Sequence, residues 1–239
     1  MSRYILTKFK DLLPIWLYDR EHSMVQTGPR AAITTLLSIG ARANVSYRRQ
    51  RVGWKTRYAR KWVHLGCGGK YVEGWINVDI NPLRRIDLWA DIVGPLPFER
   101  DEVDVVASFH VLEHLDPREA AFMLRECQRI LKRGGILRIG VPSLEAAVSA
   151  YSTDNWDAYG DMALAFRSGG GRFNIAVLYY GQHKQAFDLE YLAELCRAAG
   201  FRHIQRVGAW DSMVVPRGDL EQMQDEGLAS WSLFVEARK

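Results

Sequence analysis

A cluster of glycines directly after a short apolar run is the first feature whose residue types and spacing could do chemistry. Residues 62–65 read WVHL, and residues 66–69 read GCGG. The apolar run predicts a buried strand, and glycines let the backbone turn sharply and approach a ligand without a Cβ atom in the way. A second apolar run, residues 75–78, ends at Asp79. Open parallel sheets bind nucleosides at the carboxyl ends of their strands, so this order predicts such a site.

The same glycines make a dinucleotide ligand the weaker alternative. In the G-x-G-x-x-G fingerprint, the third glycine would stand where this chain has Tyr71. Residues 66–74 are also too few to hold a helix, and without a helix N-terminus there is no ready-made site for a pyrophosphate. A nicotinamide-dependent oxidoreductase is therefore disfavoured. A nucleoside without phosphates fits better, because Asp79 can accept hydrogen bonds from the two hydroxyls of a ribose.

Strand and helix patterns alternate from residue 62 onward, which predicts one α/β domain over residues 61–239. One helix is expected to begin at Pro117 behind the capping residue Asp116 and to end at the glycines at 134–135. Another is expected behind Asp188. Strands are expected at residues 62–65, 75–78, 86–89, 103–108, 136–141, 204–207 and 232–235.

A long segment at about residues 143–187 interrupts this alternation. It is rich in Tyr, Trp, Gly and Asp and contains no recognisable strand pattern. Long connections of this kind often carry binding residues, so we interpret the segment as an insertion that faces the substrate. Its aromatic side chains could stack on a ring or a sugar, or belong to the hydrophobic core.

Residues 1–60 are expected to form a basic, largely helical arm or cap. No Asp or Glu occurs between Glu21 and Glu73, whereas ten Lys or Arg residues do. Such an arm could lie on an anionic membrane surface, attract a phosphate-bearing or carrier-linked substrate, pack over the active site, or be a solvated face. Nucleic acid is disfavoured as a partner because no known reading module is present.

Composition indicates an ordinary globular protein of a reducing compartment. Hydrophobic residues make up 48% of the 239 residues, and the mean hydropathy is −0.19. The three cysteines at 67, 127 and 196 are too few and too scattered for a disulfide framework or a zinc cluster. No run approaches the roughly eighteen apolar residues of a membrane-spanning helix. We therefore expect a cytoplasmic protein, peripheral to a membrane only through its arm; the sequence does not predict an oligomeric state.

Five motifs, in this order, resemble those of class I S-adenosylmethionine-dependent methyltransferases. They are residues 65–68 (LGCG), 74–79 (GWINVD), 96–98 (LPF), 108–115 (SFHVLEHL) and 129–135 (RILKRGG). The resemblance is closest to a small bacterial subgroup with LGCG, GWINVDI and HVLEH motifs, whose members often act in glycan or natural-product pathways. It covers residues 62–145 strongly and residues 186–239 weakly. The short link between the first two strands departs from the general pattern of the family.

The resemblance implies a fold and a cofactor. The fold is a Rossmann-like, mostly parallel sheet of seven strands, with helices on both faces and an antiparallel closing strand. The cofactor is S-adenosylmethionine, with S-adenosylhomocysteine as the product. The implied cofactor-binding residues are Gly66, Cys67, Gly68, Asp79, Ile80, Asp91, Ile92, Ser108 and His110.

Each of these residues takes an implied role. The turn at residues 66–68 would line the methionine moiety, although we favour Cys67 as a small packing residue without chemistry. Asp79 would bind the ribose, and Asp91 with Ile92 would meet the adenine. Ser108 and His110 would lie beside the methyl group. If the acceptor is a hydroxyl, a base must remove its proton.

Histidines are the candidate bases, because the imidazole titrates near neutral pH. His183 is the first choice, since a histidine of relatives at this position faces the acceptor, and His110 is the second. Ubiquinone-pathway and small-RNA 2′-O-methyltransferases carry a similar motif that holds a divalent metal. The corresponding set here would be His110, Glu113, His114 and His183. We expect no metal, because HVLEH also occurs in methyltransferases without one.

The sequence thus predicts a methyltransferase acting on a hydroxyl of a saccharide or another small molecule. Two alternatives from other classes stay open. One is a non-catalytic or membrane-associated partner that has kept the fold, and the other is the nicotinamide-dependent oxidoreductase. The identity of the acceptor is not predicted.

Overall fold

Seven strands form a single sheet in the order β3-β2-β1-β4-β5-β7-β6. The computed structural model describes residues 60–239 except Leu164, together with Leu36, Ile39 and Gly40. All neighbouring strands are parallel except β7, which runs antiparallel to both β5 and β6. The predicted fold class is therefore confirmed. The strands are β1 (Trp62–Leu65), β2 (Ile76–Asp79), β3 (Leu88–Trp89), β4 (Val103–Phe109), β5 (Leu131–Pro142), β6 (Arg202–Val207) and β7 (Ser232–Arg238).

The first face of the sheet is covered by two amphipathic helices. Helix α1 spans Pro117–Ile130, and Asp116 and Glu119 close a complete capping box at its start. Helix α5 spans Leu189–Ala198 and is capped by Asp188. Leu124, Cys127 and Leu192 are fully buried between these helices and the strands. The apolar stripe along each helix supplies this face of the core.

The predicted end of the first helix is wrong by several residues. Helix α1 stops at Ile130, and Leu131 already has an extended backbone that pairs with Val103 of β4. Leu131 is fully buried in this position, so the core holds it in the sheet. The glycines at 134–135 lie inside β5 and do not end the helix.

The second face is covered largely by irregular chain. Residues 66–75 contain turns and no helix, as the sequence indicated. Trp75 is buried there edge-on against Trp62, with ring centroids 5.1 Å apart, and its indole N–H donates to Asp219. Asp219 lies in the short helix α6 (Arg217–Met223), which packs on the same face. An aromatic loop and a two-turn helix therefore take the place of a longer helix between β1 and β2.

The segment between β5 and α5 forms a small unit with its own apolar cluster. It contains α2 (Leu144–Thr153), α3 (Gly160–Ala163) and α4 (Gly169–Leu178). Trp156 and Tyr159 pack there against Trp231, which comes from the far end of the chain beside α7 (Glu226–Ala229). Ser143 and Phe187 form an isolated parallel bridge, so the segment leaves and rejoins the sheet at one place.

The predicted arm at residues 1–60 lies outside the described residues, apart from Arg60 and the three residues named above. Gly40 lies close to the indole of Trp89, because a Cβ atom at Gly40 would be 2.8 Å from Trp89 Cη2. Within the part of the chain that the structure describes, no helix has the length and apolarity to span a bilayer.

Candidate active site

The carboxyl ends of β1, β2 and β4 lie side by side. Leu65 pairs with Val78 of β2 and with Ser108 of β4, so the three strands end at one level. The glycine turn follows β1, Asp79 ends β2, and His110 follows β4. The parallel register therefore places residues at the same sheet edge although they are distant in sequence.

The glycine turn has a backbone that requires glycine at two positions. Gly66 has φ +65°, and a Cβ atom there would lie 2.4 Å from Cγ2 of Val111. Gly68 has φ +54°, and a Cβ atom there would meet nothing within 4 Å. Gly66 therefore allows the turn to contact the end of β4, whereas Gly68 borders open space.

Asp79 holds the turn in place. Its Oδ2 accepts a hydrogen bond from the Gly68 N–H at 2.9 Å, and its Oδ1 accepts one from the Asn81 N–H at 2.8 Å. The carboxylate is partly exposed, and each oxygen can accept a further hydrogen bond. The glycine turn and Asp79, which the sequence analysis assigns to one nucleoside site, are thus in direct contact.

The residues expected around an adenine lie at the exit of β3. The Ala90 N–H donates to the Asp79 carbonyl, which places Asp91 beside the end of β2. Asp91 is 5% exposed, and its Oδ1 accepts from the Val93 N–H. The Ile80 carbonyl accepts from the indole of Trp89, and the Ile92 side chain packs on the core.

The buried hydroxyl of Ser108 has no hydrogen-bond partner among the residues that the structure describes. Ser108 is the penultimate residue of β4 and lies two positions before His110. An unsatisfied buried hydroxyl costs about 1–3 kcal/mol, and polar groups of this kind often serve a ligand. The Ser108 hydroxyl is therefore available to hydrogen-bond with a ligand at the sheet edge.

His110 is held between a carboxylate and a hydroxyl. It has φ +53°, which is uncommon for a residue other than glycine. Its Nδ1 lies 3.3 Å from Oε1 of Glu113, and its Nε2 lies 3.1 Å from Oγ of Ser232. The first contact has the distance of an ion pair, but it does not meet the geometry of a hydrogen bond, since both Glu113 oxygens are without one within the described part of the chain. The imidazole is nonetheless oriented from both sides.

Glu113 is buried among three histidines. Burial alone would raise the pKa of its carboxyl, but contact with His110 and the charges of His114 and His183 lower the pKa overall. His114 and His183 lie edge to face with ring centroids 5.0 Å apart. Burial lowers the pKa of His183 to about 4, and its Nδ1 contacts the Val177 carbonyl at 3.1 Å. The four residues of the predicted HxxEH and His183 set are thus neighbours.

Cys67 is a buried thiol without the properties of a nucleophile. Burial, with the charges of Asp79 and Asp87, raises its pKa to about 12. A thiolate is the reactive form of cysteine, so the thiol stays protonated at neutral pH. This supports the interpretation of Cys67 as a packing residue.

Two residues of the site were missed by the sequence analysis. Ser232 contacts Nε2 of His110, and Trp231 lies edge-on to the same imidazole, with centroids 5.6 Å apart. Tyr159 stacks on Trp231 at 5.2 Å. These residues could have been found from the antiparallel direction of β7. That direction places the first residue of the strand, Ser232, at the same sheet edge as the carboxyl end of β5.

Residues 63–139, about a third of the chain, match the family model described as a methyltransferase domain. The resemblance to methyltransferases is thus confirmed over this segment, which includes the glycine turn, Asp79 and His110. No curated protein matches the chain.

Several solved structures are similar to the chain. One is a SAM-dependent methyltransferase from Archaeoglobus fulgidus, with 17% identity, all of each chain covered and a TM-score of 0.48. Another is a possible exported protein from Bordetella parapertussis, with 15% identity over 94% of this chain and 78% of that one, and a TM-score of 0.49. A third is a possible histamine N-methyltransferase from Thermotoga maritima, with 15% identity, 88% and 93% coverage and a TM-score of 0.46. At these values the likenesses carry no argument about activity.

Proposed function

We propose that this chain is an S-adenosylmethionine-dependent methyltransferase that methylates a hydroxyl group of a saccharide or another small molecule. The observation that carries the proposal is the position of His110. It lies at the edge of the sheet that also holds the glycine turn and Asp79, and the buried Glu113 lies behind it. The site therefore combines features of a nucleoside-binding edge with an oriented base.

The residues at the sheet edge fit the cofactor. Gly68 borders open space beside Asp79, so a nucleoside can approach the backbone there. Asp79 keeps acceptor capacity for ribose hydroxyls, and the orphan hydroxyl of Ser108 offers a further contact. Asp91 and Ile92 would take the adenine, next to Ile80. When bound, S-adenosylmethionine supplies an electrophilic methyl group on a sulfonium.

His110 would act as the general base in place of the first choice from the sequence, His183. His110 is partly exposed, whereas His183 is buried. In the proposed reaction, the Nδ1 of His110 carries the proton on the side of Glu113, and the lone pair is on Nε2. The Ser232 hydroxyl beside Nε2 donates its proton to the Leu228 carbonyl at 2.6 Å, so it does not need this lone pair as an acceptor. An acceptor hydroxyl could then give its proton to Nε2, and Glu113 would stabilise the resulting imidazolium.

Trp231 joins the proposed base to the insertion. Its ring lies 5.6 Å from that of His110 between centroids, and it belongs to the apolar cluster of the insertion. Trp231 and Tyr159 are each 5% exposed, so these two rings fix the insertion beside the base and are not themselves a stacking face for the acceptor. The insertion would then supply one wall of the acceptor site.

Calorimetry with S-adenosylmethionine, S-adenosylhomocysteine and NAD tests the cofactor. We expect both sulfur nucleosides to bind and NAD not to bind. Asp79→Asn should weaken S-adenosylmethionine by about 10–100-fold, the equivalent of about 1.5–3 kcal/mol for a charge-assisted pair of hydrogen bonds. Absence of binding by either sulfur nucleoside would refute the proposal.

Turnover is tested with deuterated-methyl S-adenosylmethionine and a small-molecule extract, with mass spectrometry of the products. His110→Gln should keep cofactor affinity within about twofold and lose at least about 100-fold in methyl transfer, a typical contribution of a general base. Cofactor binding without labelled products would favour the non-catalytic partner. Loss of cofactor binding in His110→Gln would contradict the assigned role.

A further inference from the structure

We propose that Arg84, together with the backbone N–H of Gly69, binds the carboxylate at the amino-acid end of the cofactor. This inference rests on the proposed function, since S-adenosylmethionine and S-adenosylhomocysteine both end in an α-amino carboxylate. A Cβ atom at Gly69 would lie 3.6 Å from Nη1 of Arg84, so the guanidinium lies beside the glycine turn. Gly69 itself is exposed. The guanidinium and the exposed end of the turn are therefore neighbours.

The backbone of the turn has few hydrogen-bond donors left for an anion. Four of the five N–H groups at residues 66–70 already donate within the protein, and their acceptors are the Val78 carbonyl for Gly66 and Cys67, Asp79 for Gly68, and the Cys67 carbonyl for Lys70. The fifth, that of Gly69, has no such acceptor in the described part of the chain. Residues 66–75 also contain no helix whose N-terminus could hold an anion. A carboxylate at this turn therefore needs a side-chain donor.

The charges around the turn make a cationic donor necessary. Asp79 and Asp87 both act on the Cys67 thiol, where their charges add to the effect of burial in raising its pKa. A carboxylate brought to the turn would meet the same negative charges and would bind weakly unless a cation compensated for them. A guanidinium suits this role, because it is always charged and can donate two parallel hydrogen bonds to one carboxylate.

A tight turn that begins at Asp79 holds the backbone of Arg84 in place. Asp79 Oδ1 accepts a hydrogen bond from the Asn81 N–H at 2.8 Å, and Asn81 Oδ1 accepts one from the Leu83 N–H at 3.0 Å. The Arg84 N–H then donates to the Asn81 carbonyl at 3.2 Å, which closes the turn. The residue proposed to bind the ribose is therefore hydrogen-bonded to the loop that carries the proposed carboxylate ligand.

Lys70 and Arg85, which are close to the turn in sequence, have other partners. Lys70 pairs with Asp225, and Arg85 pairs with Glu73 at 3.2 Å. The Arg85 guanidinium also lies over the Tyr71 ring, 3.8 Å from its centroid. Because its pair with Glu73 is exposed, Arg85 provides a matched control of the same residue type at the next position.

Calorimetry of the full chain with S-adenosylhomocysteine and 5′-methylthioadenosine tests the proposal. Both ligands carry the adenosine and a neutral thioether sulfur, but 5′-methylthioadenosine lacks the amino-acid end. Arg84→Gln should weaken S-adenosylhomocysteine at least about tenfold, as expected for the loss of a charge-assisted contact, and should change 5′-methylthioadenosine by less than about twofold. Arg84→Lys, which keeps the charge without the paired donors, should show a smaller loss with the same selectivity. Arg85→Gln should bind both ligands as the wild type does.

Circular dichroism checks that each variant is folded, and Arg84→Lys serves as the test variant if Arg84→Gln does not fold. An equal loss for the two ligands would overturn the proposal, because the substitution would then act on the turn and not on the carboxylate. Unchanged affinity for S-adenosylhomocysteine would also overturn it, while the proposed function would stand. Binding of neither ligand to the wild type would refute the cofactor assignment and this proposal with it.

Discussion

Alanine substitutions at Gly66 and Gly68 should have different consequences although both glycines lie in one turn. Their φ angles are +65° and +54°, so an alanine would cost about 1–2 kcal/mol of left-handed strain at either position. The reduced entropy of the unfolded chain is also similar for the two substitutions. Backbone effects therefore largely cancel when the two variants are compared.

The remaining difference comes from space. A Cβ atom at Gly66 would lie 2.4 Å from Cγ2 of Val111, whereas one at Gly68 would meet nothing within 4 Å. Overpacking of this kind costs about 1–3 kcal/mol. We therefore expect Gly66→Ala to lose about 2–5 kcal/mol in the free energy of unfolding and Gly68→Ala to lose about 1–2 kcal/mol. Urea denaturation measures both values.

Val111→Ala provides the control for this explanation. In the double variant the shorter side chain removes the contact, so the two substitutions should couple by about 1–3 kcal/mol. Gly68→Ala should instead weaken S-adenosylmethionine at least about tenfold in calorimetry, because its methyl group occupies the open space beside Asp79. Equal stability of the two glycine variants, or a coupling energy near zero, would refute the reasoning.

Two further predictions concern buried polar groups in the sheet. Burial lowers the pKa of His64 from 6.5 to about 4. Between these two pH values, the unfolded chain binds a proton at this imidazole and the native state does not. The free energy of unfolding therefore decreases as the pH falls through this window. Urea unfolding at pH 7 and pH 5 should show the wild type losing about 2 kcal/mol more than His64→Gln, and parallel losses would contradict this explanation. Arg138 pairs with Glu236 at 3.0 Å, and both side chains are almost fully buried. Arg138→Met should therefore cost about 3–5 kcal/mol, and Arg138→Met with Glu236→Gln should recover part of it; a single variant as stable as the wild type would refute the role of the pair.

The sequence predicted the parts of the fold that depend on local patterns. Short β-branched runs such as β4 appear as strands because their apolar residues are contiguous, and Asp116 with Pro117 marks a helix start through backbone chemistry within one turn. The end of α1 escaped prediction because it depends on the pairing of Leu131 with β4, not on a local stop signal. Long-range packing there prevails over the preference of glycine for helix ends.

The same distinction applies to the candidate site. Gly68 and Asp79 could be assigned to one site from the sequence because they are only 11 residues apart, one just after β1 and the other at the end of β2. The contact of His110 with Ser232 joins residues 122 positions apart, and it depends on the antiparallel insertion of β7 beside β5. The proposal of His110 instead of His183 as the base likewise rests on what each ring contacts, which the residue types alone do not give.

The electrostatic field of the turn adds a physical reason for preferring a sulfonium cofactor to a dinucleotide. Burial is the main cause of the raised pKa of the Cys67 thiol, and the charges of Asp79 and Asp87 add to it, so both carboxylates act on the glycine turn. The Arg84 guanidinium also lies beside this turn, next to Gly69. Residues 66–75 contain no helix, so no helix N-terminus among them is available to a pyrophosphate. Next to Asp79, a cationic sulfonium would be attracted and a pyrophosphate repelled. The short link between β1 and β2 thus removes the feature that a dinucleotide needs and keeps the carboxylate that suits a sulfonium nucleoside.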